Sequence, residues 1–301
     1  MNQNKAYFLI FLTAFISGFA VFISKFGVSV INPYIFTGLK NFIVVLLVAS
    51  WLLMMKDWRL LKNLKRKSWG LLFAVGLIGG SVPFLLFFKG LSVAGGAEAA
   101  FIHKTMFIYI AVLASVFLKE KIGKDFLIGG LLLVLGNLLL FEFLPVNFNF
   151  GSLLILLATL LWAGENILSK YLLKDLPSRI VIFGRMFFGS LFILLFWFFT
   201  GQAYLTLSLN LEQIGWILIT SVFLFGYVAT WYSGLKYVKV SVAATILLLG
   251  SPITAFLSML FLNDSISIAQ FGGMGLILAA VFIVMYNQCF NEHRKESVIG
   301  F

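Results

Sequence analysis

Six ionisable side chains interrupt the apolar stretches of this chain: Lys40, Glu98, His103, Lys104, Glu165 and Arg185. Three of them crowd into "GGAEAAFIHKTMFIYIAVLASVFLKEK", residues 95 to 121. Lys104 lies ten residues past the start of its apolar run, about 15 Å at helical rise, while a lysine stem reaches only roughly 6 Å. A lysine at that depth in hydrocarbon costs about 2.5 to 3.5 kcal/mol, so it calls for a wet cavity, an ion-pair partner or a substrate. Two assignments are open: contact with a substrate, or a structural ion pair with Glu98 or Glu165.

His103 is a candidate proton relay, because imidazole is the side chain that changes charge near physiological pH. Adjacent helical residues diverge by 100°, so His103 and Lys104 face different neighbours. Glu165 stands in "LLWAGENILSKY" with Asn166 beside it and Trp162 one turn earlier. It is a candidate proton carrier, or else it reaches the cytoplasmic boundary or pairs with Arg185. Glu98, four residues into its run, suits a cavity mouth or a helix interface.

The elements that must position these groups follow from composition. The chain has 301 residues, 61% hydrophobic and 11% charged, with a mean hydropathy of +1.06, so its solvent is the bilayer. One cysteine, Cys289, and two histidines, His103 and His293, argue against a disulfide framework, a resident metal or redox chemistry. No cofactor is expected. The net charge of +11 is scattered between apolar blocks and forms no solvated face for a nucleic acid.

Ten apolar runs approach the roughly 20 residues that a helix needs to span about 30 Å. They lie at 6 to 24, 33 to 55, 69 to 88, 94 to 118, 125 to 143, 150 to 169, 180 to 200, 213 to 234, 240 to 262 and 267 to 287. An all-α integral membrane protein of ten transmembrane helices is expected, the first run being retained as a span. Of the 22 Lys and Arg, 17 fall in the two tails and the loops on one side, which places both termini in the cytoplasm. The densest loop, "KDWRLLKNLKRK", is read as a topology anchor.

An internal repeat organises the ten runs. Residues 90 to 136 laid on 234 to 280, an offset of 144, are identical at 12 of 47 ungapped positions. The matches include Gly90 with Gly234, Gly129 with Gly273, and the helix end "FLKEKI" beside "FLNDSI". An offset of 145 lays "ISKF" on "LSKY" and Lys40 on Arg185. The halves are therefore residues 1 to 145 and 146 to 290, followed by a cytoplasmic tail at 291 to 301. Five spans per half is odd, so the halves cross in opposite senses, with a binding site near the midplane between them.

This pattern resembles the EamA-type branch of the drug/metabolite transporter superfamily. It rests on the five-plus-five arrangement, the "FLKEKI" and "FLNDSI" ends, the glycine-led spans that follow them and the basic residues of spans 2 and 7. The resemblance implies a secondary transporter in which four spans of each half surround a cavity, with spans 5 and 10 packed behind. It names no substrate. The chain departs from its own repeat where Asn263 and Asp264 stand for Lys119 and Glu120, and where Leu247 and Leu248 stand for His103 and Lys104.

Backbone punctuation adds expected helix breaks at Pro83 in "GLIGGSVPF" and at Gly250 and Pro252 in "LLLGSPITAF", with Ser251 between them. Tyr109, Trp162, Asn166, Trp231, Tyr232 and Ser251 are candidates for a cavity lining. Lys40 and Arg185 share either a structural task or attraction for an anionic group. The embedded charges have a small positive excess, which favours a zwitterionic or anionic metabolite such as an amino acid. The expected function is secondary transport across the inner or plasma membrane by alternating access, read as export, with import against export and proton coupling against exchange left open. The alternatives are export of drug-like or cationic compounds, a passive channel, or an integral-membrane enzyme, for which no catalytic constellation is present in the sequence. The expected partners are a small-molecule substrate and the lipid bilayer, and a homodimer is left open.

Overall fold

The computed structural model describes residues 1–94, 96–142 and 149–299, without the side chains of 92, 96, 97 and 287–299. The expected boundary at 145 and 146, and the side chains of Cys289, His293 and the tail from 291, lie outside the described residues. Within them no strand occurs, and the chain runs through fourteen α-helices. The first half contains α1 (Gln3–Val30), α2 (Pro33–Met54), α3 (Trp58–Lys62), α4 (Arg66–Gly80), α5 (Val82–Ala94), α6 (Gly96–Lys104), α7 (Met106–Phe117) and α8 (Lys124–Leu140). The second contains α9 (Phe150–Leu172), α10 (Ser178–Thr200), α11 (Leu211–Leu235), α12 (Val240–Leu247), α13 (Gly250–Leu262) and α14 (Ile268–Ile299).

Asparagine starts several of the long helices. Asn32 accepts the Tyr34 and Ile35 amides with Pro33 in the first turn, and Asn149 with Ser152 and Asn210 with Gln213 form reciprocal caps. Large apolar side chains lie outward, among them Phe8 at 63%, Leu131 at 61% and Phe282 at 68% exposure, which suits a lipid-facing surface. Nine stretches among the described residues are long and apolar enough to cross a bilayer. The tenth expected span forms α8, whose 17 residues reach about 25 Å, short of the hydrocarbon thickness.

Three expected spans are each two helices. The breaks fall at Ser81 ahead of Pro83, at Leu248 and Leu249 ahead of Pro252, and at Thr105. The first two follow from proline. The third, with neither proline nor glycine beside it, was not anticipated, yet Thr105 is the repeat equivalent of Leu249 at the offset of 144.

Equivalent glycines make equivalent contacts. A Cβ on Gly90 would meet Gly151 O and Ile155, and a Cβ on Gly234 would meet Ala6 O and Ile10, the corresponding residues of the other half. Gly129 likewise packs on Ala280 O and Val284, as Gly273 packs on Gly136 O and Leu140. Close approach requires the missing side chain at each of these helix crossings. The helices α8 and α14 thus pack on each other, as do α5 on α9 and α1 on α11. The same contacts fix direction. Lys170, near the end of α9, bonds the carbonyls ending α11, and Gly234 of α11 packs on Ala6 at the start of α1. The start of α1 and the end of α9 therefore share one end of the bundle.

Candidate functional site

On α9 the spacing of Trp162, Glu165, Asn166 and Ser169 puts all four on one helical face. That face is buried against α4, α10 and α11. Glu165, 3% exposed, accepts hydrogen bonds at Oε1 from Ser169 Oγ at 2.5 Å and from the Tyr232 hydroxyl at 2.6 Å. Arg185 Nε stands 3.9 Å from the same oxygen, an ion pair without a hydrogen bond. Asn166 donates to the Trp162 carbonyl at 2.9 Å and accepts from the Trp231 indole at 3.1 Å.

The network closes on the Gly79 carbonyl. Arg185 Nη2 donates to it at 3.0 Å and Trp162 Nε1 at 3.1 Å. In a continuous helix this carbonyl would take the amide of the residue four positions on, which is Pro83 and has no N–H. Two buried side chains supply the missing donors, as hydrocarbon surroundings demand. Asn41 does the same for the Gly80 carbonyl at 3.2 Å. Residue 79 must be glycine here, because a Cβ would lie 2.2 Å from Glu165 Cγ.

Trp162 also joins this network to the break in span 4. Its ring lies 4.9 Å from the His103 imidazole, and Phe87 lies 5.6 Å from both rings. His103 Nδ1 is buried without a hydrogen-bond partner among the described residues. At the break, the Thr105 hydroxyl turns back to the Ile102 carbonyl at 2.6 Å. Lys104 is half-buried and forms no ion pair among the described residues.

The ion-pair alternative for Lys104 is thereby corrected. Glu165 is taken by Arg185, Ser169 and Tyr232, while Glu98 accepts from Ser152 Oγ in the first turn of α9 and ties α6 to that helix. Of the alternatives for Glu165, the pairing with Arg185 is the one the structure makes. Lys40 and Arg185, equivalent in the repeat, have different surroundings: Lys40 Nζ sits 4.3 Å over the Phe36 ring, and no ion pair holds it among the described residues. Trp162, Asn166, Trp231 and Tyr232, all expected to line a cavity, are 9%, 6%, 3% and 1% exposed and together form the buried network. Tyr109 is half-buried on α7, and the Ser251 hydroxyl, at the head of α13, is buried without a partner among the described residues. Gly79 and Ser169 join the network without being among the expected site residues. Ser169 was discoverable, four residues after Glu165 on one face.

The family model of the EamA-like transporter family matches residues 4–142 and again residues 149–286. The chain belongs to that family. This EamA-like transporter is similar to an uncharacterized transporter of Archaeoglobus fulgidus, 25% identical over 288 residues that cover 93% of this chain and 99% of the relative. An uncharacterized transporter in the cobO 3' region of Sinorhizobium sp is 26% identical over 143 residues, all of that protein and 48% of this one. A solved crystal structure shares the fold, with a TM-score of 0.78, 15% identity, and coverage of 94% of this chain and 98% of the other. The EamA-like transporter is thus a multi-pass membrane protein of two-repeat architecture, in which the Glu165 network and the Lys104 break lie where α9 meets α4 to α7.

Proposed function

We propose that this EamA-like transporter is a secondary exporter of a small zwitterionic or anionic organic metabolite, of which an amino acid is the simplest example. The observation that carries the proposal is Lys104, an embedded ammonium with no ion pair among the described residues, at a helix break beside the unpartnered His103 Nδ1. With Glu165 offset by Arg185, the charge left over in the bundle is positive. That charge attracts a carboxylate or phosphate group and repels a bare cation.

Equivalent contacts at opposite ends of the bundle support ten crossings as two inverted five-helix halves, α8 included, and alternating access between them. The one-sided distribution of Lys and Arg supports cytoplasmic termini in the inner or plasma membrane. Glu165 is the candidate for carrying a coupled proton, since protonation would release Arg185 from its only described carboxylate. His103 is the second candidate.

A thermal-shift screen of the detergent-purified protein and Lys104→Ala tests the substrate class. Amino acids, organic acids, phosphorylated metabolites, sugars and cationic drugs are compared. An anionic or zwitterionic ligand that raises the melting temperature of wild type and not of the variant supports the proposal. A shift with cationic drugs alone, equal in both proteins, rejects it.

A further inference from the structure

One end of the bundle is locked by two contacts whose repeat equivalents at the other end are not made among the described residues. At the basic end, Glu120 caps α12: its carboxylate accepts the Val240 amide at 2.8 Å, the Ser241 amide at 3.2 Å and the Ser241 hydroxyl at 2.6 Å. Beside it, Lys170 Nζ donates to the carbonyls of Leu235 at 2.6 Å, Lys236 at 3.2 Å and Val238 at 2.7 Å, where α11 ends. The cap joins the two halves across the sequence, and the lysine draws α11 to α9. Asp57 and Arg179 add an ion pair between the halves at the same end.

The offset of 144 assigns Asp264 to Glu120, and the offset of 145 assigns Lys25 to Lys170. Local backbone supports the first pairing. Lys119 and Asn263 both have a φ of 55°, and the amides of Glu120 and Asp264 both turn back, to Ala114 O at 3.1 Å and Ser258 O at 3.4 Å. Ala114 and Ser258 are themselves 144 apart. Yet Asp264 is exposed, and Lys25 Nζ reaches Ser258 Oγ at 2.9 Å, a contact with no counterpart at Lys170.

We propose that Asp264 and Lys25 form the opposite lock: in the other conformation Asp264 caps the start of α6, and Lys25 takes the carbonyls of Leu91 and Ala94 ending α5, as the Glu120 and Lys170 contacts release. In this proposal the two locks are alternatives, one closing each end of the bundle. Lys25 exchanges Ser258 for backbone carbonyls, and Glu120 surrenders three donors to water. A carboxylate hydrogen-bonded to helix-terminal amides has its charge balanced by the helix end, which is why an acid occupies both positions. The shorter Asp264 makes the opposite lock the weaker one, and the basic end is the one closed in this structure.

This inference rests on the alternating-access reading, and the experiment separates the two. In a Cys289→Ser background reconstituted in nanodiscs, spin-label pairs at Val93 and Ser265, and at Lys121 and Tyr237, report the two ends by dipolar distance measurement. Glu120→Gln should raise the population with the opposite end closed roughly tenfold, as loss of charge-assisted hydrogen bonds requires. Asp264→Asn and Lys25→Gln should lower that population about threefold, less because both positions are exposed. Asp264→Glu, which leaves every described contact intact, should raise it. If Glu120→Gln shifts the ratio while all three variants at Asp264 and Lys25 leave it unchanged, the opposite lock is refuted. One unchanging distance at each end in wild type and every variant would overturn alternating access itself, and the locks with it.

Discussion

Trp162 holds His103 in ring contact at 4.9 Å while its indole N–H is committed to the Gly79 carbonyl on the far side. One side chain therefore couples the break of span 3 to the break of span 4. Trp162→Phe keeps the ring and loses the donor, leaving the Gly79 carbonyl with Arg185 alone. The expected cost is about 1 to 3 kcal/mol in stability, read as a lower melting temperature. Trp162→Phe melting as wild type would show that the Gly79 carbonyl does not need its second donor.

Lys104→Met removes a charge that no described carboxylate offsets, so it should not destabilise the protein and should raise its melting temperature. Transport of an anionic or zwitterionic solute should fall at least about tenfold, as expected for loss of one charged hydrogen bond to substrate. A variant that melts several degrees lower with unchanged uptake in proteoliposomes would place Lys104 in the structure and outside the site.

Glu165→Gln leaves Arg185 buried at 7% exposure without its carboxylate. Breaking a buried pair on one side costs about 3 to 5 kcal/mol, whereas removing both charges is far milder. Glu165→Gln should therefore be strongly destabilised and Glu165→Gln with Arg185→Gln partly restored, measured by thermal denaturation in detergent. An additive double variant would mean that the 3.9 Å pair contributes nothing.

Gly90→Ala and Gly234→Ala test the repeat. Each new Cβ would approach a backbone carbonyl of the facing half, at 2.7 Å from Gly151 O and 3.0 Å from Ala6 O, and an isoleucine at 2.7 Å in both cases. Both substitutions should destabilise by about 1 to 3 kcal/mol and by similar amounts. A large cost at one position and none at the other would show that the two crossings are not mechanically equivalent.

Removing the coupling candidate gives a pH test of the export proposal. Wild-type uptake into proteoliposomes is expected to respond to an imposed pH gradient, and Tyr232→Phe, which keeps the Glu165 carboxylate but removes one donor, should retain that response at altered rate. Glu165→Asp should retain it as well. Glu165→Gln combined with Arg185→Gln, which removes the carboxylate and its partner together, should abolish the response. Loss of the response in His103→Gln, with that double variant responding normally, would move the proton from Glu165 to His103.

Sequence by itself determined the membrane solvent, the helical class and the repeat, while the break at Thr105 was not legible in it. Apolar run length and composition dictate membrane helices, because unpaired backbone groups cannot remain in lipid, and Pro83 and Pro252 mark breaks because proline lacks the amide that a helix requires. The offset of 144 also identified the paired glycines, whose lack of a side chain lets the halves approach. Tertiary structure alone decided which charges pair. Glu165, Glu98 and Lys104 look alike in sequence as embedded ions, but partners such as Arg185 and Ser152 come from other helices, and an ion pair is a distance that spacing along one chain does not specify. The same holds for Gly79, whose orphaned carbonyl is predictable from Pro83, while the two side chains that satisfy it arrive from α9 and α10 only when the bundle has closed.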